Sequence, residues 1–138
     1  MNTARRDGQT KDGIRIDEPS DHAGMHEAGR LAATILDEIA EHVFPGQTTG
    51  EIDRLIEEKV NAAGAKSATI GYKGYQHASC ISVNHVVCHG IPGDKKLKDG
   101  DILNIDVTVI VDGWFGDTSR MYVAGKLSRK AERLINVT

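Results

Sequence analysis

The segment from Asp101 to Tyr122 constrains the fold more than any other part of this 138-residue chain. Residues 101–111 alternate, which predicts a β-strand with one wholly apolar face. Asp112-Gly113 then fits a two-residue type I′ turn, so the segment predicts a long antiparallel hairpin. The apolar face consists of Leu103, Ile105, Val107, Val109 and Val111. The pairs expected to face each other are Val111 with Trp114, Ile110 with Phe115 and Thr108 with Asp117.

Two aspartates, Asp106 and Asp117, should project from the opposite face of this hairpin, beside Thr108, because side chains alternate with period two. As diagonal cross-strand neighbours they would lie roughly 7–8 Å apart at the backbone. Two carboxylates in a partly buried site are costly, and one or two divalent cations would relieve that cost. Oxygen ligands suit Mn, Fe(II), Co or Mg, and Zn is also possible. The alternative is a solvent-facing Asp106 and a surface Asp117 near a turn, and spacing alone leaves both open.

Composition excludes several classes of protein. With 17 basic and 20 acidic residues the chain has no basic stripe, so nucleic-acid binding is not predicted. No apolar run approaches the roughly 18 residues of a membrane span, and the polar N-terminus lacks the apolar core of a secretory signal. We predict a disordered lead-in over residues 1–18 and one domain over 19–138. Cys80 and Cys88 are too few for a disulfide framework and predict free, largely buried thiols in a cytosolic protein.

Apolar residues at helical spacing predict three helices. The first covers residues 21–43, the second ends near Gly64, and the third is still running where the sequence stops at Thr138. The second has a capping-box match between Thr48 and Glu51. The predicted N-cap residues of the three helices are Ser20, Thr48 and Ser128.

Two short strands are predicted at residues 80–83 and 85–91, joined near Asn84, upstream of the long hairpin. Helices that flank a hairpin-rich sheet indicate the α+β class.

Among the histidines, His89 stands where a predicted strand meets a Gly-Pro turn. It is placed to hydrogen bond a substrate or to bind a metal, and the alternative is an ordinary core or surface histidine. His22 and His26 have the i, i+4 spacing of a zinc chelate. They lack the HExxH order and a third ligand, so metal binding is not expected there.

Three longer motifs occur in order: AGRLAATIL at 28–36, CISVNHVVCHGIP at 80–92 and DGDILNIDVTVIVDGWFGDTSRMY at 99–122. Together they closely resemble the bacterial type I methionine aminopeptidases, from about residue 20 onward. The resemblance implies a pita-bread fold with two pseudo-symmetric halves around an antiparallel sheet. It also implies removal of the initiator methionine from nascent proteins whose second residue is small. A monomeric cytoplasmic enzyme near the ribosome, using two divalent ions (Mn, Fe(II), Co, Zn or Ni), would follow.

The resemblance also implies roles for individual residues. Asp106 matches the carboxylate that chelates one ion, and Asp117 matches the one that bridges both. His89 matches a histidine that stabilises the reacting peptide group. The positions that match the lining of the methionine pocket are Thr69, Tyr72, Tyr75 and Cys80.

The chain departs from the family pattern at Lys73, Gln76 and His85, where histidine, proline and an acidic residue are usual. The family's remaining metal ligands, one histidine and two glutamates, belong to a second half that this sequence does not contain. We therefore expect residues 19–138 to be the N-terminal part of a catalytic domain, truncated inside a helix and inactive or nearly so alone. Two rival interpretations remain: a proline-specific aminopeptidase or prolidase, and a non-catalytic pita-bread binding protein.

Overall fold

The computed structural model describes residues 8–138 as a four-stranded antiparallel sheet with two helices packed against its apolar face. This confirms the α+β class. The helices are α1 (His22–Ile39), α2 (Thr49–Ala62) and α3 (Arg129–Val137), with short 3-10 turns at Ala40–His42 and Tyr72–Gly74. The strands are β1 (Lys66–Ser67), β2 (Ser79–Val83), β3 (Asp101–Val111) and β4 (Trp114–Ala124).

The β3–β4 hairpin has the predicted register, with Thr108 opposite Asp117 and Asp106 opposite Ser119. Asp112 and Gly113 have φ values of 48° and 86°, as a type I′ turn requires. The alternating apolar residues of β3 are buried in the core between the sheet and the helices. The face that carries Asp106 therefore points away from the core.

Both β1 and β2 pair with the edge of β3 that β4 leaves open. β1 pairs near the hairpin tip, with Ser67 opposite Val109, whereas β2 pairs further back, with Cys80 opposite Asp106. The chain leaves the sheet between these strands, over residues 68–78. This excursion lies beside the Asp106 face of the hairpin.

Helix α1 approaches the backbone of β4 very closely. An ideal Cβ built on Gly116 would lie 2.2 Å from the carbonyl carbon and oxygen of Ala28. A Cβ on Gly24 would lie 2.3 Å from the Trp114 ring. The helix can lie this close to the sheet only because glycine occupies both positions.

The predicted start of the first helix is wrong. Helix α1 begins at His22 with Asp21 at the N-cap position, so Ser20 does not cap it. The Asp21 carboxylate accepts a hydrogen bond from the Glu18 N–H and pairs with Arg15 at 3.1 Å. The Asp21 side chain therefore bonds to the preceding turn and makes no capping hydrogen bond to the helix. The α-helix also ends at Ile39, short of the predicted residue 43.

The other capping predictions are confirmed. Thr48 and Glu51 form both hydrogen bonds of a capping box, and Ser128 Oγ accepts from the Ala131 N–H. Gly64 follows the second helix in a left-handed conformation, with φ of 69°.

The strand predicted at residues 85–91 is wrong, whereas that at 80–83 is confirmed as part of β2. Residues 85–91 form a loop, because Asn84 and His89 both have left-handed φ values, 54° and 53°. The loop lies against β2, where the Ile81 N–H donates to the Gly90 carbonyl at 2.8 Å. A Cβ on Gly90 would lie 2.1 Å from the Ile81 carbonyl oxygen, so only glycine allows this contact.

Two further expectations need correction or restriction. Cys88 is exposed and Cys80 is half-buried, so the thiols are free but the prediction that they are largely buried is wrong. Residues 1–7 of the predicted disordered lead-in lie outside the described residues. Residues 8–18 instead contain a turn closed by a bridge between Gln9 and Arg15. No helix within residues 8–138 combines the length and apolar character needed to cross a membrane.

Candidate functional site

One cavity of about 500 Å³ brings together all seven residues singled out from the sequence. It lies between the excursion over residues 68–78, the loop that carries His89, and the outer face of the hairpin. Its lining residues are Thr69, Tyr72, Tyr75, Cys80, His89, Ile91, Asp106, Thr108 and Asp117. The hairpin register also predicted Thr108 beside the two aspartates, whereas Ile91 was not expected to join them.

The two carboxylates stand at one end of this cavity. Asp106 is half-buried and Asp117 is exposed, and the Thr108 hydroxyl donates to Asp117 Oδ1 at 3.1 Å. Burial, followed by the charge and hydrogen bonding of Asp117, raises the pKa of the Asp106 carboxyl, while nearby His89 opposes the rise. The two carboxylates therefore repel each other, and a bound cation would relieve this repulsion.

Carboxylate oxygens are the type of ligand that a hard divalent cation prefers. Two carboxylates are nevertheless fewer donors than such a cation requires. Within residues 8–138, no group of three or more histidine, cysteine, aspartate or glutamate side chains could surround a metal ion. His22 and His26 accordingly form no such group, and the His26 ring lies 2.9 Å from the Arg30 guanidinium. Asp106 and Asp117 would therefore hold a metal weakly with this donor set alone.

The rest of the cavity lining includes a wall formed by Thr69 and by the aromatic and sulfur-containing side chains of Tyr72, Tyr75 and Cys80. The Tyr75 hydroxyl donates to the Ser79 carbonyl at 2.8 Å, and the Cys80 thiol donates to the Tyr75 hydroxyl at 3.6 Å. The Thr69 hydroxyl donates to the His77 carbonyl at 2.7 Å. Tyr72 is 65% exposed at the rim. Such a wall suits an unbranched, polarizable apolar side chain.

Sequence reasoning missed Asp53, a buried carboxylate of α2 that contacts this wall from behind. It accepts hydrogen bonds from the Ser79 backbone N–H and hydroxyl, and lies 3.1 Å from His77 Nδ1. A usable signal exists in the sequence. Asp53 falls on the helical stripe that also contains Thr49, Ile56 and Val60, all of them buried. An acidic residue on a buried stripe needs partners, and these partners belong to the pocket segment.

The position of His89 depends on the glycine that follows it, and this leads to a first prediction. Gly90→Ala should lower the free energy of unfolding by about 1–3 kcal/mol, because the new methyl group meets the β2 backbone at Ile81. Gly93→Ala is the matched control, since a Cβ there meets nothing within 4 Å. Its effect should stay within about 0.5 kcal/mol. Urea unfolding measures both, and equal stabilities would contradict the tight seating of this loop.

The raised pKa of Asp106 predicts how the metal-free chain responds to pH. Ionisation of Asp106 is disfavoured in the folded state, so its contribution to stability is complete below its unfolded pKa and is lost as pH rises through its folded pKa. Asp106→Asn should therefore stabilise the metal-free chain at pH 7, by at most about 1 kcal/mol because the group is partly solvated. The gain should vanish near pH 3. Urea unfolding at both pH values tests this, with exposed Asp94→Asn as control. A loss of stability in Asp106→Asn at pH 7 would refute the claim that burial and Asp117 disfavour the ionised form of Asp106.

A pair of strand-borne carboxylates that face a cavity supplies part of the donor set of a divalent-metal site. Residues 23–138 match the sequence profile of Metallopeptidase family M24. The chain belongs to this family, and the family's metallopeptidase chemistry uses a divalent metal cofactor.

Within the family, the chain is similar in sequence to methionine aminopeptidases. It is 54% identical over 127 residues to the methionine aminopeptidase of Escherichia coli strain K12, and 52% identical over 125 residues to that of Rickettsia prowazekii. Each alignment covers 91% of this chain and 48% of the relative. The chain therefore spans about half the length of these curated relatives.

Solved structures agree with this placement. The crystal structure of the Rickettsia prowazekii methionine aminopeptidase superposes with a TM-score of 0.89 at 52% identity, covering 91% of this chain and 50% of that one. A prolidase from Pyrococcus furiosus superposes with a TM-score of 0.76 at 19% identity, covering 88% and 34%, which shows a likeness of fold alone. The pita-bread fold is confirmed.

Proposed function

We propose that this chain supplies the carboxylate pair and the side-chain pocket of a methionine aminopeptidase. The reaction is hydrolysis of the first peptide bond of nascent proteins that carry an initiator methionine before a small residue. One observation supports this most strongly. A single cavity joins Asp106 and Asp117 to a wall that contains Tyr75 and Cys80, which suits an unbranched thioether.

Each residue then has a definite role. Asp106 and Asp117 would hold the divalent cofactor, which would supply Lewis-acid activation of water and of the scissile carbonyl. His89 donates a hydrogen bond to the peptide group as negative charge develops on it. Thr69, Tyr72, Tyr75 and Cys80 surround the methionine side chain. Two ions are proposed, which Asp106 and Asp117 would help to hold, with Mn, Fe(II), Co, Zn and Ni as candidate metals. The proposed setting is the cytoplasm near the ribosome, with a monomeric enzyme and no nucleic-acid ligand.

Peptide binding tests this proposal directly on chain 1–138. Because Asp106 and Asp117 are the only carboxylates among the described residues that line the cavity, we expect little or no turnover and use binding as the readout. In the presence of excess Zn²⁺, the peptide Met-Ala-Ser should shift the NMR resonances of Tyr75 and Cys80. Ala-Pro-Ser at the same concentration should not.

The possible outcomes separate the rival functions. Stronger shifts with Ala-Pro-Ser would favour a proline-specific peptidase. A chain that binds neither Zn²⁺ nor either peptide would favour a non-catalytic binding protein. Val-Ala-Ser is a further control, because its β-branched side chain should fit the pocket poorly.

A further inference from the structure

We propose that Asp53, which lies outside the cavity, is the positioning residue of its side-chain wall. The buried carboxylate holds Ser79 and His77, and the backbone carbonyls of those residues hold Tyr75 and Thr69. The inference rests on the proposed function in one respect only, namely that the wall receives a methionine side chain.

Asp53 is 5% exposed and fully engaged in contacts. Its Oδ1 atom accepts from the Ser79 N–H at 2.9 Å and from the Ser79 hydroxyl at 2.7 Å. Its Oδ2 atom lies 3.1 Å from His77 Nδ1. Hydrogen bonds to a buried charged group are strong and are costly to break, so this carboxylate fixes the start of β2 relative to α2.

The residues held by Asp53 in turn hold three side chains of the cavity wall. The Ser79 carbonyl accepts from the Tyr75 hydroxyl, which itself accepts from the Cys80 thiol. The His77 carbonyl accepts from the Thr69 hydroxyl. The His77 ring also meets the Tyr75 ring edge to face, with centroids 5.4 Å apart. Through Ser79 and His77, the Asp53 carboxylate thus supports Tyr75, Cys80 and Thr69 of the wall.

The segment that forms the wall has few backbone contacts with the sheet. It begins after β1, a strand of only two residues, and contains left-handed backbone at Gly71, Lys73 and Gly74. Its backbone–backbone hydrogen bonds to the sheet stop after Ala68, whose N–H donates to the Thr108 carbonyl. Beyond Ala68, the hydrogen bonds from this segment to the sheet involve side chains, such as that of the Tyr75 hydroxyl with Ser79. A binding site on such a segment keeps its geometry only if surrounding groups hold it in place.

The two free thiols provide a test that does not depend on metal or turnover. In a Cys88→Ser background, the half-buried Cys80 is the only thiol, and its rate of alkylation by iodoacetamide reports opening of the wall. Asp53→Asn and Ser79→Ala should raise this rate about tenfold or more, and Asp53→Ala should raise it further. Glu38→Gln is the matched control, because Glu38 of α1 pairs at the surface with Lys59 of α2, the helix that carries Asp53.

A merely structural role would act through global unfolding, so a second control is needed. Gly116→Ala destabilises the core without touching the wall, and its alkylation rate shows what global destabilisation alone produces. The proposal is overturned if Cys80 reacts no faster in folded Asp53→Asn and Ser79→Ala than in Glu38→Gln. It is also overturned if the rate follows only the urea midpoint, as in Gly116→Ala.

Ligand protection separates this proposal from the proposed function. L-methioninamide should slow alkylation of Cys80 in the Cys88→Ser chain, and L-alaninamide should not. Asp53→Asn should raise the methioninamide concentration needed for half-protection about tenfold. If methioninamide never protects but the Asp53 variants still open the wall, the positioning role stands and the methionine assignment fails.

Discussion

Replacing both Asp106 and Asp117 with asparagine should weaken divalent-metal binding by at least about 100-fold. The two carboxylates are the donors that the cavity offers, and their mutual repulsion is the part of the free energy that a cation recovers. Each single substitution should leave intermediate affinity, since one carboxylate remains. Titration with Mn²⁺, followed through the EPR signal of the free ion, measures the dissociation constants.

The matched control removes two negative charges as well, but at positions outside the cavity. The double variant Asp94→Asn, Asp112→Asn should bind Mn²⁺ as the native chain does, because neither residue lines the cavity. Unchanged affinity in the Asp106 and Asp117 double variant would show that the ion binds elsewhere. The proposed metal site would then be wrong.

Gly116→Ala should cost about 2–4 kcal/mol of unfolding free energy, because the added methyl group meets the backbone of a packed helix. The added Cβ would lie 2.2 Å from the Ala28 carbonyl group and 2.6 Å from the Gly29 nitrogen. These are backbone atoms of α1, so the helix must shift away from β4. Urea unfolding at fixed pH measures the difference.

Gly29→Ala provides the control for this prediction. A Cβ on Gly29 meets nothing within 4 Å, and alanine favours a helix over glycine by about 1 kcal/mol. Gly29→Ala should therefore stabilise the chain while Gly116→Ala destabilises it. If both variants were equally stable, the close approach of α1 to β4 would be refuted.

The features predicted correctly from the sequence are those with local causes. The hairpin follows from alternation and one Asp-Gly turn, and its register places Asp106 and Asp117 on one face without further information. The capping box at Thr48 and the third cap at Ser128 also involve neighbours only three residues apart.

The features missed depend on contacts distant in the chain. Residues 85–91 contain β-branched residues that favour a strand, but Gly90 contacts the backbone at Ile81 and the segment becomes a loop. Asp53 is explained only when Ser79, 26 residues away, lies beside it. The roles of the cavity residues came from family resemblance, and they stay predictions until variants are measured.

The pairing of Cys80 with Asp106 has a consequence for how such a site could change over evolutionary time. Directly opposed strand residues have Cα atoms about 4.5–5.5 Å apart, so Cys80 of the wall and the Asp106 carboxylate keep a set separation. The remaining wall residues belong to a segment outside the sheet. Mutations there could alter which side chain is selected while the hairpin keeps its chemistry, so specificity and reactivity can diverge independently.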